Sequence, residues 1–325
     1  MPLVLSRHTD PSLPLPAAIA EFLADCRLRQ LSARTIEWYR YTLQPFARFA
    51  TAYSNGNDDV ATVTTQTVRA FLTEQSECVE ANRLNDYREA IDRFYQWLGA
   101  QGYVSGNPAA GIGKAREARK LIAAFNHEEV EALLRQPNTS SFIGLRDWVF
   151  MVLLVDTGIR LSEALGLRVS DLDLPNGNFK VLGKGRKERL VGVSPLMEGH
   201  LRRYLARRQA ALDTICQGDS PWLLPNQCGG KLVAKTVQQH LKQYARQAGI
   251  TRVRVSPHTF RHTFALWFVR AGGSPFHLQK ILGHESLDMA RRYCDLADID
   301  FLSKQQELSP LASLQSVQPT RRRIR

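Results

Sequence analysis

Two short stretches decide the reading of this chain: Ser256-Pro257-His258-Thr259-Phe260-Arg261-His262, then Leu282-Gly283-His284-Glu285, with Tyr293 nine residues after His284. The first places two histidines and an arginine within about one helical turn, since residues three and four apart share a helix face. His258 and His262 resemble half a metal site, but Arg261 lies between them and no nearby carboxylate has ligand spacing, so no metal is expected there. Upstream lie Thr157-Gly158-Ile159-Arg160-Leu161-Ser162-Glu163 and Gly183-Lys184-Gly185-Arg186-Lys187-Glu188-Arg189. Taken singly these are ordinary: a hairpin tip, an arginine near a helix end, a packed aromatic. Asp171 and Asp173 would share one face of a strand, a two-metal hint that a solvated strand edge explains equally well.

The set together points to one chemistry. A phosphodiester's transition state spreads negative charge over its non-bridging oxygens, and two arginines offer bidentate, permanently charged donors. A tyrosine, with a free pKa of about 10, can be the nucleophile where a cationic pocket and a base help it ionise. A histidine suits the base, and a flexible lysine suits protonation of the departing oxygen. The positive charge comes from side chains, so neither metal nor other cofactor is expected.

In their order and residue types the four segments resemble the motif set of the tyrosine recombinases (the phage-integrase family), most closely the bacterial XerC and XerD branch. The resemblance is strong from about Phe125 to Phe301. It is weaker before that, resting on Leu31-Ser32-Ala33-Arg34-Thr35, Phe94-Tyr95-x-Trp97-Leu98 and Asn107-Pro108. Carried over by position, it implies the catalytic residues Arg160, Lys184, His258, Arg261, His284 and Tyr293, with Tyr293 the nucleophile. Glu163 matches the family's Arg-x-x-Glu pattern as a local support. Gly192 stands where close relatives commonly have proline, and Ala290 where they commonly have threonine.

Outward from the motifs, charge divides the chain. The net charge is +12, and arginine supplies 33 of the 43 basic residues, a balance that suits a polyanionic partner. Residues 1–113 carry net −2 and residues 114–325 net +14. With 44% hydrophobic and 23% charged residues the chain is globular rather than disordered. No run of some eighteen apolar residues occurs, so no membrane span is expected. The start lacks a secretion signal. Five scattered cysteines without a C-x-x-C pair suit a reducing cytoplasm.

Helical stripes Ile36, Tyr39, Leu43, Phe46, Phe49, Tyr53 and Leu84, Tyr87, Ile91, Phe94, Leu98 join shorter candidates at about 17–29 and 65–76 in a small four-helix domain. Pro45 is expected to kink or break its helix. Beyond Asn107-Pro108, Gly111 and Gly113, a capping-box-like start at Asn126-His127-Glu128-Glu129 opens the next domain. Trp148–Val155 is expected as a buried helix, with a short helix at 162–167. The runs 179–182 and 190–193 are expected as a hairpin with Lys184 at its tip. Longer helices are expected near 197–212, 234–248 and 258–271.

The fold class follows as α+β, mainly α. The resemblance makes it a core-binding (SAM-like) helical domain plus a mixed α/β catalytic domain with a small antiparallel sheet. The expected boundaries are a short extension at 1–15, a core-binding DNA-binding domain at 16–113, a basic linker at 114–124, the catalytic domain at 125–307 and a basic tail at 308–325. Arg34, Thr35, Arg83, Arg88, Lys114 and Lys187 are the candidate DNA contacts.

The implied activity is site-specific recombination through a 3′-phosphotyrosine and a Holliday junction, without metal or ATP. The partner is a double-stranded site with inverted repeats, held by a homotetramer or a heterotetramer with a related recombinase, in the cytoplasm at the nucleoid. Residues 1–15 are too short for the arm-binding domain of lambda-type integrases. The chain's length and arginine-rich tail favour a mobile element over Xer-type chromosome or plasmid dimer resolution. A type IB topoisomerase shares the tyrosine chemistry and is the enzymatic alternative.

Overall fold

A computed structural model describes residues 12–116, 123–183, 187–216, 220–283 and 286–297. The chain divides into two compact units, residues 1–120 and 121–325.

The described residues of the first unit form four α-helices, α1 (Leu15–Leu28), α2 (Ala33–Tyr53), α3 (Thr65–Ser76) and α4 (Ala81–Gln101). The stripes read from the sequence are its core: Leu43, Phe46, Phe94 and Leu98 are fully buried, joined by Phe22 and Phe71. The expected break at Pro45 does not occur, and α2 continues through it to Tyr53. Proline removes a single backbone donor, while Leu43, Phe46, Ala47 and Ala50 bury on both sides of it and hold the helix together. At the other end, Ser32 caps α2 by accepting from the Thr35 backbone.

The second unit begins with α5 (His127–Leu134), and its capping box forms as expected: Asn126 accepts from the Glu129 backbone and Glu129 from that of Asn126. The apolar run lies in α6 (Phe142–Thr157), a helix buried nearly all round. A short helix, α7 (Leu161–Ala164), follows, then the strands β1 (Leu172–Asp173), β2 (Asn178–Leu182) and β3 (Glu188–Gly192). They form an antiparallel sheet in the order β1-β2-β3, with Phe179 opposite Val191 and Val181 opposite Arg189. Contrary to the expectation from alternation, Asp171 and Asp173 do not share a strand face, since only Asp173 lies in a strand. Asp171 ends a short 3-10 turn and accepts from the Arg168 backbone, whereas Asp173 holds Asn176 in the β1-β2 turn.

Among the described residues, five helices complete the unit: α8 (Pro195–Cys216), α9 (Ala234–Gln247), α10 (Pro257–Arg270), α11 (Pro275–Leu282) and α12 (Asp288–Leu296). The last two were not expected, being short and carrying the motif residues. Buried Arg146 and Asp147 form an ion pair on α6. Asp147 also accepts from Tyr244 and contacts His240 on α9, while Arg146 donates to the Pro225 carbonyl. This network satisfies the buried charges and locks α9 onto α6. A second apolar cluster, around Ala265, Leu278, Leu282, Ala290 and Tyr293, joins α10, α11 and α12.

Candidate active site

Two left-handed glycines aim the two motif arginines. Gly158 (φ 61°) ends α6 and Gly283 (φ 63°) ends α11, each in the conformation that terminates helices and that glycine adopts without strain. The Gly158 carbonyl accepts from Arg261 Nη1 at 2.9 Å, and the Gly283 carbonyl from Arg160 Nη2 at 3.0 Å. Arg261 Nη2 reaches the Leu282 carbonyl at 2.8 Å. Arg160, at the start of α7, and Arg261, on the second turn of α10, are thereby fixed against the C-terminal end of α11.

A third arginine completes this anchoring. Arg189 Nε donates to the Ile281 carbonyl at 2.8 Å, so three consecutive carbonyls at the end of α11 accept from three different arginines. Such carbonyls carry the negative end of the helix dipole, which favours cations there. Glu163 balances the cluster. It accepts from the Arg160 backbone at 2.8 Å, from Arg160 Nη1 at 3.0 Å, and from both terminal nitrogens of Arg189 at 2.9 Å. Burial pushes the Glu163 carboxyl up, but the Arg189 and Arg160 donors outweigh it and hold the group below the usual carboxylate range. Burial, reinforced by Arg160, lowers Arg261 to about 10, which leaves it charged at neutral pH.

Tyr293, on α12, is fully buried, and its hydroxyl lies 2.6 Å from Nδ1 of His262 on α10. Burial pushes the phenol up, opposed by Arg261 and Arg292. Burial, with His258 and Arg261, pushes His262 down. His258 is exposed in the first turn of α10, one turn before Arg261 and His262.

Among the six motif positions, Arg160, Arg261 and Tyr293 are therefore gathered around α10 and the end of α11, with His258 at the rim. Lys184 and His284 lie outside the described residues. The candidate DNA contacts are scattered. Arg34 is exposed at the start of α2, and Thr35 shares a hydroxyl contact with Ser32. Arg83 lies over the Tyr87 ring and pairs with Asp86, while Arg88 donates through Nε to the Ile112 carbonyl. Lys114 is exposed, as is Lys187 beside the hairpin tip.

Sequence reasoning missed Arg189 and weighed His262 only as a metal ligand. Arg189 carried a legible signal, since strand alternation puts it on the same face as Val191, where a cation needs a buried anion. The contact between His262 and Tyr293 joins residues 31 apart and had no local signal.

Residues 124–299 match the Phage integrase family, and residues 19–103 match the Phage integrase, N-terminal SAM-like domain. The chain is 33% identical over 267 residues to Tyrosine recombinase XerC of Oceanobacillus iheyensis, covering 82% of this chain and 86% of that protein. In fold it is similar to XerH site-specific recombinase bound to a palindromic difH substrate, with TM-score 0.71, 22% identity and coverage of 90% of this chain and 85% of that one. It is similar as well to a lambda integrase tetramer bound to a Holliday junction, with TM-score 0.67, 18% identity and coverage of 90% and 80%. On its sequence and on both of its domains, the chain belongs to the phage integrase family and is a site-specific tyrosine recombinase.

Proposed function

We propose that this recombinase cuts one DNA strand by attack of Tyr293 on a phosphodiester, keeps the 3′ end as a phosphotyrosine, and rejoins it to a 5′-hydroxyl from a partner duplex. Two such exchanges pass through a Holliday junction in a tetramer bound to two sites with inverted repeats. The observation that carries this reading is the fixed pair Arg160 and Arg261, each oriented by a helix-terminal carbonyl, with the Tyr293 segment packed on the same helix as Arg261. In this reading their remaining N–H groups would meet a phosphate's non-bridging oxygens, where such donors stabilise the transition state most. Lys184 would protonate the departing 5′ oxygen, and His258 and His284 would hold the phosphate. The bond energy stays in the phosphotyrosine, so ATP is not required.

The relatives' bound DNA and tetramer support the partner and assembly. Arg34, Thr35, Arg83, Lys114 and Lys187 are proposed as DNA contacts, with Arg88 acting through the segment at Ile112. The reading includes service to a mobile element, and sequencing the DNA covalently trapped on the protein identifies the site. The direct test is Tyr293→Phe, which removes one oxygen. Site binding should persist while the covalent adduct disappears; an adduct at normal yield would refute the assignment.

A further inference from the structure

We infer that His262 is the base that takes the Tyr293 proton during cleavage and returns it during rejoining, an inference that rests on Tyr293 being the nucleophile. The 2.6 Å contact between Nδ1 and the phenol oxygen is within the range for proton transfer. Both side chains stand on helices packed in one apolar cluster, α10 and α12, so the contact is held by the fold and not by a loop.

The surroundings keep both groups neutral at neutral pH, because burial disfavours their charged forms. In the tautomer with its proton on Nε2, His262 Nδ1 accepts from the phenol. Among the described residues, the groups whose charge acts on the pair are His258 and Arg261 from α10 and Arg292 from α12. All three oppose premature protonation of His262 or favour an ionised tyrosine. A neutral imidazole is the competent acceptor, and an arriving phosphate then supplies the negative charge that stabilises an imidazolium. His258, on the exposed first turn, is placed for the phosphate instead.

The step balances without a co-reactant. The phenol oxygen bonds to phosphorus, the bond from phosphorus to the 5′ oxygen breaks, and the phenolic proton moves to Nδ1. The 5′ oxygen takes its proton from a separate acid, Lys184 in the proposed reading. In rejoining, a 5′-hydroxyl attacks phosphorus and yields its proton to that acid's conjugate base. The bond to tyrosine breaks, and the imidazolium returns its proton to the phenol oxygen.

The test uses the full chain with His262→Gln and two DNA substrates. On a nicked suicide substrate, adduct formation should slow by about 10²–10⁴-fold, the usual contribution of a general base. On a 3′-p-nitrophenyl phosphate end, a 5′-hydroxyl strand displaces p-nitrophenolate, a leaving group that needs neither Tyr293 nor a proton. That ligation should stay within a few-fold of the parent. The parent's cleavage rate should fall as pH drops through the His262 pKa, below the ordinary imidazole value of about 6.5, and the variant should lose this limb. Equal loss on both substrates would show a structural role and overturn the inference, as would retained cleavage or a persisting limb. A parent chain that ligates the p-nitrophenyl end but forms no adduct would instead remove Tyr293 as nucleophile, and this inference with it.

Discussion

Replacing Glu163 by glutamine tests how the catalytic arginines are held. The Glu163 side chain is 2% exposed and accepts four donors from Arg160 and Arg189. Glutamine fills the same volume but turns one oxygen into an N–H donor that faces a guanidinium. Removing one partner of a buried ion pair costs 3–5 kcal/mol; Arg160 is 36% exposed and can recover water, so a loss of about 3 kcal/mol is expected. In a unit of this size each kcal/mol moves Tm by about 2–4 °C, giving a fall of roughly 6–12 °C.

The effect should depend on pH in one direction. The folded Glu163 carboxyl titrates below its unfolded value of about 4.3, so its stabilisation is complete above that pH and is lost as pH falls through the folded pKa. The gap in Tm between parent and Glu163→Gln should be widest at neutral pH and close below roughly pH 4. Cleavage should fall about 10²-fold at temperatures where the variant is folded, because Arg160 loses its orientation. Thermal unfolding across pH and adduct formation on a suicide substrate measure both effects. A Tm within about 2 °C of the parent, or a gap that does not change with pH, would refute the reasoning.

Three further outcomes are expected. Gly158→Ala places a Cβ 2.4 Å from the Phe264 ring and 2.9 Å from Leu282 at a φ of +61°, so thermal unfolding should show a loss of about 2–4 kcal/mol from strain and overpacking combined. Lys184→Ala should slow cleavage by about 10²–10⁴-fold, and a substrate with sulfur as the 5′ leaving atom, which needs no acid, should recover most of the loss; failure to recover would move the acid role to another group. Affinity measured against salt should show a steep slope for a fragment from Lys114 onward and a shallow one for residues 1–113, since each phosphate contact contributes about 0.9 to the log–log slope; a steep slope from residues 1–113 would contradict the charge division.

Much of the scaffold was local and therefore legible. The stripes Leu43–Phe46 and Ile91–Leu98 buried where helical periodicity put them, and the Asn126 and Glu129 capping box formed because its partners lie three residues apart. The motif arginines and the tyrosine could be named because each sits in a short distinctive context. Pro45 shows the limit of local rules, because packing on both sides outweighed one missing hydrogen bond.

What the tertiary structure alone decided is which groups face one another. Alternation along β3 separates Arg189 from Leu190, but the fold determined that the arginine turns inward while Leu190 stays 69% exposed, because Glu163 and the end of α11 wait on that side. The same packing put His262 against the Tyr293 hydroxyl across 31 residues and aligned three carbonyls with three arginines. The sequence determined the chemical groups, since residue type sets charge and reactivity. Their pairing depended on contacts between distant segments, which no local pattern encodes.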